Sequence, residues 1–211
     1  DGDGRGMHTT HDANNSSQTF KWSHKNARGW KNDLSMFHTV FGYNTRNAYK
    51  KDYEVSAHSH IKDFGAKFSI ERDSAWANAT VSTGFEWIRH SISPKVLNSE
   101  GSIADLVESG SSESMVVHEY AAYVQQEWPP TPKLTVNTGV RASMAVTDSR
   151  NYFYPEPRVS VRYEVKENHA LKFNYSRMVQ YLHRISNSAV STPIDVLFPV
   201  TGSIRPQTSH Q

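Results

Sequence analysis

The 211-residue sequence contains no cysteine. Disulfide-bonded scaffolds, thiolate zinc sites and cysteine nucleophiles are therefore excluded together. The sequence also lacks an apolar run of the roughly 18 residues that a transmembrane helix requires. Its hydrophobic fraction of 36% is below the roughly 45–50% of typical soluble globular chains. A conventional helical membrane protein is excluded, and a large apolar core is not expected.

The charge of the chain is nearly balanced, with 23 basic and 21 acidic residues. We find no dense Lys/Arg run of the kind that follows a phosphate backbone, so nucleic acid is not an expected partner. The mean hydropathy of −0.66 is low for a membrane protein. It remains compatible with a membrane β-barrel, because only alternate strand residues of a barrel face lipid.

Alternation with a period of two residues is the main pattern in the sequence, and it predicts β-strands. The clearest case is residues 134–146, where Val136 and Val140 alternate with Asn137 and Arg141. The following runs place Val159, Val161, Phe173 and Tyr175 opposite Arg158, Arg162, Lys172 and Asn174. Further upstream, alternating sets occur at 64–71, 75–87 and 120–128, and weaker signals occur at 20–25, 34–43 and 49–56. We predict eight or nine strands in total.

The connections between these strands differ in length. Short ones are predicted at Arg72–Ser74, Pro129–Pro132 and Glu167–Asn168, and the prolines of the second should interrupt the strand ladder. Long ones are predicted at Ser93–Ser114 and after Met178. Short turns at one end and long loops at the other are typical of outer-membrane barrels. The predicted fold is therefore all-β, an antiparallel transmembrane β-barrel segment, and the alternative is a soluble β-sandwich or lipocalin-like barrel.

No residue pattern predicts an enzyme or a cofactor site. A nucleophile elbow, a phosphate-binding glycine loop and paired carboxylates in a defined context are all missing. His8, His11 and Asp12 do not have the spacing of a standard metal motif, so a polar loop is the preferred interpretation. Glu156 lies between two prolines and is predicted to belong to a loop.

Several segments in order resemble the barrel of TonB-dependent receptors from Bacteroidota-type bacteria. They are Glu119–Trp128, Thr131–Arg141, Pro155–Tyr163, Leu171–His183 and Pro193–Asp195, with a weaker likeness at Ile61–Lys67. The resemblance covers about the last 150 residues. It implies a 22-stranded outer-membrane barrel with a plug in its lumen, which imports scarce nutrients through the action of TonB.

The resemblance also implies the organisation and the partners of the protein. Residues 1–211 show no plug-like segment, so we expect them to be a partial β-barrel domain of a receptor in the outer membrane of a Gram-negative bacterium. The expected partners are TonB and its inner-membrane motor, outer-membrane lipid, a surface lipoprotein and a nutrient such as a metal chelate, a glycan or a peptide. Two other functions remain open: a soluble surface domain that binds glycan or protein, and a small passive outer-membrane barrel.

The candidate substrate contacts lie in the long segment after the last clear strand, because long loops and lumenal strand ends meet the ligand in a transporter. Tyrosine and arginine at strand ends also stabilise barrels at the membrane interface, so a structural role is an alternative for each residue. The candidates are Arg177, Gln180, Tyr181, His183, Arg184 and Asp195.

Overall fold

A computed structural model describes residues 7–49, 53–101, 114–186 and 195–211 of the chain. These residues form strands joined by turns and bends, with no helix among them and hence none able to cross a bilayer. The strands are β1 (Met7–Lys25), β2 (Trp30–Tyr49), β3 (Tyr53–Trp76), β4 (Ala79–Gly101), β5 (Met115–Thr131), β6 (Leu134–Val146), β7 (Asn151–Lys166), β8 (His169–Gln180), β9 (Leu182–Ser186), β10 (Asp195–Pro199) and β11 (Gln207–His210).

The first eight strands form one antiparallel meander, in which each strand pairs with its neighbour in sequence. The chain then leaves the sheet to form the separate β9–β10 hairpin and returns as β11, which pairs with the end of β8. Within the described residues β1 pairs with β2 alone and not with β11, so the nine-stranded sheet is open. The all-β antiparallel fold predicted from the alternation is confirmed.

The two ends of the sheet have different connections. At one end, which we call the turn end, β1–β2, β3–β4, β5–β6 and β7–β8 are joined by two to four residues. In the first of these turns the Asn26 side chain accepts hydrogen bonds from the amides of Arg28 and Trp30, and Gly29 has a φ of 78°. At the opposite end, which we call the loop end, the chain includes the 26-residue excursion from 181 to 206 before β11.

Three predicted connections are wrong in position. The β3–β4 reversal lies at Ala77–Asn78, where φ values of 46° and 62° match a type I′ hairpin turn, and not at Arg72–Ser74. Strand β4 continues to Gly101, so the predicted loop from Ser93 begins too early. The segment after Met178 also contains β9, β10 and β11.

The Pro129–Pro132 segment behaves partly as predicted. The ladder between β5 and β6 skips from the Trp128–Val136 pair to the Thr131–Leu134 pair, leaving Pro129 and Pro130 outside it. The strand itself nevertheless continues to Thr131, so the turn is shorter than expected.

The nine-stranded sheet has one apolar face and one polar face, because side chains alternate along each strand. The predicted sets separate as expected: Val136, Val140, Val161 and Phe173 share one face, and Asn137, Arg141, Arg162 and Lys172 share the other. The apolar face is exposed, with Phe85 50%, Val140 43% and Phe173 62% accessible. We call this face outward and the polar face inward.

Among the described residues, a buried apolar cluster lies on the inward side at the loop end. It consists of Val117, Ala145, Tyr152, Tyr181 and Val200. Three of these residues belong to β5, β6 and β7, whereas Tyr181 and Val200 belong to the excursion between β8 and β11. The core of this protein therefore forms where the excursion folds back onto the inward face of the sheet.

Candidate functional site

The middle of the inward face carries a chain of ion pairs across five strands. Lys67 Nζ on β3 lies 2.7 Å from Glu86 Oε1 on β4. Glu86 Oε2 accepts a hydrogen bond of 3.0 Å from Arg141 Nη1 on β6. Arg141 Nε in turn lies 3.7 Å from Glu156 Oε1 on β7. We call these four residues the inward charge chain.

Arg141 on β6 can contact Glu86 on β4 because small residues lie near this contact on the intervening strand β5 and on the neighbouring strands. Glu86 is opposite Ala121 on β5, and Ala121 is opposite Ser143 on β6. Ala121 is 4% exposed, and its short side chain leaves room on β5 for the hydrogen bond between Arg141 and Glu86. Gly84 likewise leaves room for the ring of Tyr123, since a Cβ atom there would lie 2.6 Å from Tyr123 Cε1.

Glu156 was predicted to lie in a loop, and this prediction is wrong. It belongs to β7, is 6% exposed and points to the inward face beside Arg141. Pro155 and Pro157 alternate with it on the outward face, where they pair with Ala142 and Val140. The alternation continues through the two prolines, and that continuity was the signal in the sequence that could have identified Glu156 as a strand residue.

A second inward cluster lies nearer the loop end and centres on His90. Its Nδ1 lies 2.8 Å from Asp63 Oδ1 on β3, and its Nε2 lies 3.4 Å from Glu119 Oε1 on β5. The second contact is close enough for an ion pair but is not an aligned hydrogen bond, because Nε2 has no hydrogen-bond partner among the described residues. Two carboxylates thus flank one buried imidazole. Sequence reasoning missed this cluster.

Three of the predicted substrate residues are held by the excursion and its surroundings. Arg177 places its guanidinium carbon 5.6 Å from the centre of the Tyr154 ring. Tyr181 is buried, and its hydroxyl lies 2.9 Å from Ser143 Oγ on β6. His183 is 9% exposed, and its Nε2 is buried without a hydrogen-bond partner in the described part of the chain.

The other three predicted residues are not brought into this cluster by anything that the structure describes. Gln180 is exposed, and its side-chain amide donates to the carbonyl oxygen of Leu182. Arg184 and Asp195 lie in the β9–β10 hairpin, where they pair with Leu197 and Ser186 respectively. Their side chains lie outside the described part of the molecule.

The excursion is fixed to the β6–β7 turn and to the start of β7 by one hydrogen bond each. The Tyr152 hydroxyl donates to the carbonyl oxygen of Thr201 at 2.6 Å, and the amide of Gly202 donates to Ser149 Oγ at 2.8 Å. The amide of Val200 also donates to the carbonyl oxygen of Tyr181 at 2.9 Å. Residues 199–204 therefore form a flap over the inward face at the loop end.

The inward face also contains an open cavity of about 450 Å³ towards the turn end. Glu71, Ser82, Glu127, Asn137, Arg158 and Asn174 are among the residues that line it. Its polar lining suits a surface that meets water or another polar segment. Among the described residues no group of His, Asp and Glu is arranged to hold a metal ion.

An antiparallel sheet with an apolar exposed face and an ion-paired polar face is the arrangement expected for the wall of an outer-membrane β-barrel. The family model described as TonB dependent receptor-like, beta-barrel, matches residues 1–211, and the chain belongs to this family. A search of the curated proteins found no significant match. Members of the family are transporters of the Gram-negative outer membrane that act with TonB, and they are not enzymes.

Proposed function

We propose that residues 1–211 are part of the barrel wall of a receptor that imports a nutrient too large for passive pores. The nutrient would be a metal chelate, a glycan or a peptide, and the mechanism would be binding followed by TonB-dependent transport, without bond-making. The open sheet supports a partial domain, because β1 lacks a second neighbour among the described residues and an unpaired strand edge is not tolerated in lipid.

The observation that carries the proposal is the height of the outward apolar band. On β3 the outward residues Phe64, Ala66, Phe68 and Ile70 lie between Lys62 and Arg72. Ten residues at about 3.4 Å each span ~34 Å along a strand. A strand tilt of about 40° reduces this to ~25 Å along the barrel axis, which is the height of the apolar band of outer-membrane barrels.

The orientation follows from the lengths of the connections. Periplasmic turns of such barrels are short and extracellular loops are long, so the turn end would face the periplasm and the loop end the outside of the cell. Strands β1 to β4 have 19 to 24 residues, more than the about 9–11 needed to cross the bilayer. Their outer halves would form a wall above the membrane.

The substrate would first contact the loop end. Arg177, Gln180, Tyr181, His183, Arg184 and Asp195 all belong to the segment that begins at the end of β8 and includes the hairpin. The buried Nε2 of His183 and the half-buried guanidinium of Arg177 are the polar groups there that lack full hydrogen bonding among described residues. A movement of the flap would expose both groups to a ligand.

The resemblance of the barrel segments supports two finer proposals, a Bacteroidota-type host and a surface lipoprotein that acts with the receptor on the loop end. A lipoprotein partner would capture the nutrient outside and deliver it to the barrel. Co-purification of the full-length receptor with a lipidated protein tests this part separately.

The transport proposal is tested by growth. A strain that lacks the full-length receptor should grow normally on free monomers and poorly when one class of nutrient, an iron chelate, a glycan or a peptide, is supplied as the limiting source. The wild-type gene should restore growth, and a gene with Arg177→Ala and His183→Ala should restore less of it. Normal growth of the deletion strain on all three classes would contradict the proposal.

A further inference from the structure

Strand β8 changes its partner at Ser176. Its ladder with β7 ends at the pair of Arg158 and Ser176, although β7 extends beyond this pair to its first residue. Ser176 exchanges two backbone hydrogen bonds of 3.1 Å and 3.0 Å with Gln211, and residues 177–180 then pair with β11. The sheet therefore has a gap in its ladder at the loop end, which we call the β7–β8 seam.

Two prolines on β7 explain why the ladder ends there. The amide of Glu164 donates to the carbonyl oxygen of Lys133 at 2.8 Å, so it points towards β6. Hydrogen-bonding groups alternate in direction along an antiparallel strand, so the odd-numbered residues of β7 point towards β8. Beyond the last pair, the next two such residues are Pro157 and Pro155. Proline has no amide hydrogen to donate, so two successive positions cannot continue the ladder.

Beyond the seam the end of β8 is turned over. Phe173 and Tyr175 are exposed on the outward face, and unbroken alternation would place Arg177 there as well. Instead, the guanidinium carbon of Arg177 lies 5.6 Å from the centre of the Tyr154 ring, which packs against the inward cluster. Val179 packs against the same cluster. Because the valine side chain is short, the backbone itself must have rotated.

The residues between these two confirm the rotation. Met178 and Gln180 are exposed, whereas Arg177 and Val179 are partly buried. The alternation of β8 is therefore displaced by one residue at Ser176. A strand that is paired on both edges cannot change faces in this way, because the ladder fixes the face of every side chain.

We propose that Pro155 and Pro157 are positioning residues of the substrate site: by ending the ladder they allow the end of β8 to turn over and bring Arg177 to the lumen. Nε of Arg177 is buried without a hydrogen-bond partner among the described residues. The guanidinium thus keeps an unused donor on the inward side. The inference rests on the proposed function, in which Arg177 contacts the nutrient.

The rotation is tested by spin labelling of the full-length receptor, because this chain has no cysteine of its own. Cysteine replaces one residue at a time, and the mobility of an attached nitroxide is measured. The label should be immobilised where the side chain packs beneath the flap and mobile where it points outward. We expect mobile labels at 175, 178 and 180 and immobilised labels at 177 and 179. Alternation that continues through 177 and 179 without displacement would overturn the proposal, and this result needs no proline variant.

The role of the prolines is tested in the same scan. Pro155→Val with Pro157→Val supplies the two missing donors, so the ladder should extend and the labels at 177 and 179 should become mobile. Pro129 is the matched control, because it is another exposed proline outside a ladder, at the turn end. Pro129→Val should leave the pattern unchanged. A displacement that persists in the double variant would show that the prolines are not its cause.

Growth on the limiting nutrient tests whether the prolines act through Arg177. The gene with Pro155→Val and Pro157→Val should restore growth of the deletion strain as weakly as the gene with Arg177→Ala, and combining the three changes should cause no further loss. Full restoration by the proline variant, or a further loss on combination, would contradict this role. Normal growth of the deletion strain on every nutrient class would instead defeat the transport proposal, and the label pattern would still decide what turns β8 over.

Discussion

Arg141 on β6 reaches across β5 and donates a hydrogen bond of 3.0 Å to Glu86 on β4. The two residues are separated by 55 positions in sequence and by one whole strand in the sheet. Both side chains are largely covered, at 26% and 14% exposure. Because a covered carboxylate is costly without a partner, this pair and its neighbours Lys67 and Glu156 allow the inward face to be polar directly behind the apolar outward face.

The contribution of this pair can be measured with a double-mutant cycle in Glu86→Gln and Arg141→Met. We expect a coupling energy of about 1–2 kcal/mol, because each single variant leaves its covered partner without its counter-ion. The measurement is urea unfolding of the full-length receptor in lipid vesicles. The exposed Arg162–Glu164 pair, 2.7 Å apart at 51% and 39% exposure, is the control and should show a coupling of about 0–0.5 kcal/mol. Equal coupling in both pairs would contradict the special role of the inward charge chain.

The assignment of the outward face predicts a strong effect of charge at Val140. Val140 lies near the centre of its strand and is exposed on the outward face. Val140→Arg should destabilise the barrel by about 2–4 kcal/mol, the cost of a cation at the bilayer midplane. Asn174→Arg places the same side chain on the exposed inward face of β8 and should be tolerated. If unfolding in vesicles shows equal losses for the two variants, the faces are assigned incorrectly.

The close packing around Gly84 predicts that a larger residue at this position would clash with its neighbours on the inward face. A Cβ atom there would lie 2.7 Å from the carbonyl oxygen of Phe68 and 2.6 Å from Tyr123 Cε1. Because the carbonyl belongs to the neighbouring strand, Gly84→Ala should cost about 1–3 kcal/mol in overpacking. At Gly42 the nearest atoms would be 3.5 Å and 3.6 Å away, so Gly42→Ala should be neutral or mildly stabilising. A neutral Gly84→Ala variant would show that the strands separate more easily than this packing suggests.

The faces of the sheet were predictable from the sequence, because a period of two residues places alternate side chains on opposite faces. Val136 and Val140 against Asn137 and Arg141 are sufficient to show it. The ends of β1 to β4 were not predictable in the same way. Residues 8–18 of β1 are polar on both faces, so alternation disappears there although the ladder continues.

The positions of the turns and the contacts between residues distant in sequence could not be predicted and are known only from the structure. Asp73 and Ser74 are common turn residues, yet the chain reverses at Ala77–Asn78, where the alanine gives no turn signal. The Glu86–Arg141 and His90–Asp63 contacts depend on the register of strands and on the small size of Ala121. No local pattern encodes such pairs. The six candidate site residues stay a prediction.

The proposed orientation can be tested with single cysteines, because the chain has none of its own. Asp148→Cys lies in the β6–β7 turn at the loop end, and Glu167→Cys lies in the β7–β8 turn at the turn end. A membrane-impermeant maleimide should label the first in intact cells and the second only after the outer membrane is permeabilised. Labelling of the Glu167 variant in intact cells, without labelling of the Asp148 variant, would reverse the topology.

Tyr181 should control whether the flap at 199–204 stays on the inward face. Its ring belongs to the buried cluster with Val200, and its hydroxyl lies 2.9 Å from Ser143 Oγ. Tyr181→Phe removes this hydroxyl contact, worth about 1 kcal/mol, and should raise hydrogen exchange at the amides of Val200 and Gly202 roughly fivefold. Tyr181→Ala also removes the ring, worth about 3 kcal/mol or more, and should raise exchange at these amides by at least about a hundredfold. Gln180→Ala, a change at the exposed neighbour, should leave exchange unchanged. Fast exchange at Val200 and Gly202 in the wild-type receptor, with no response to Tyr181→Ala, would show that this cluster does not hold the flap. In that case a ligand could reach Arg177 and His183 without a movement of the flap.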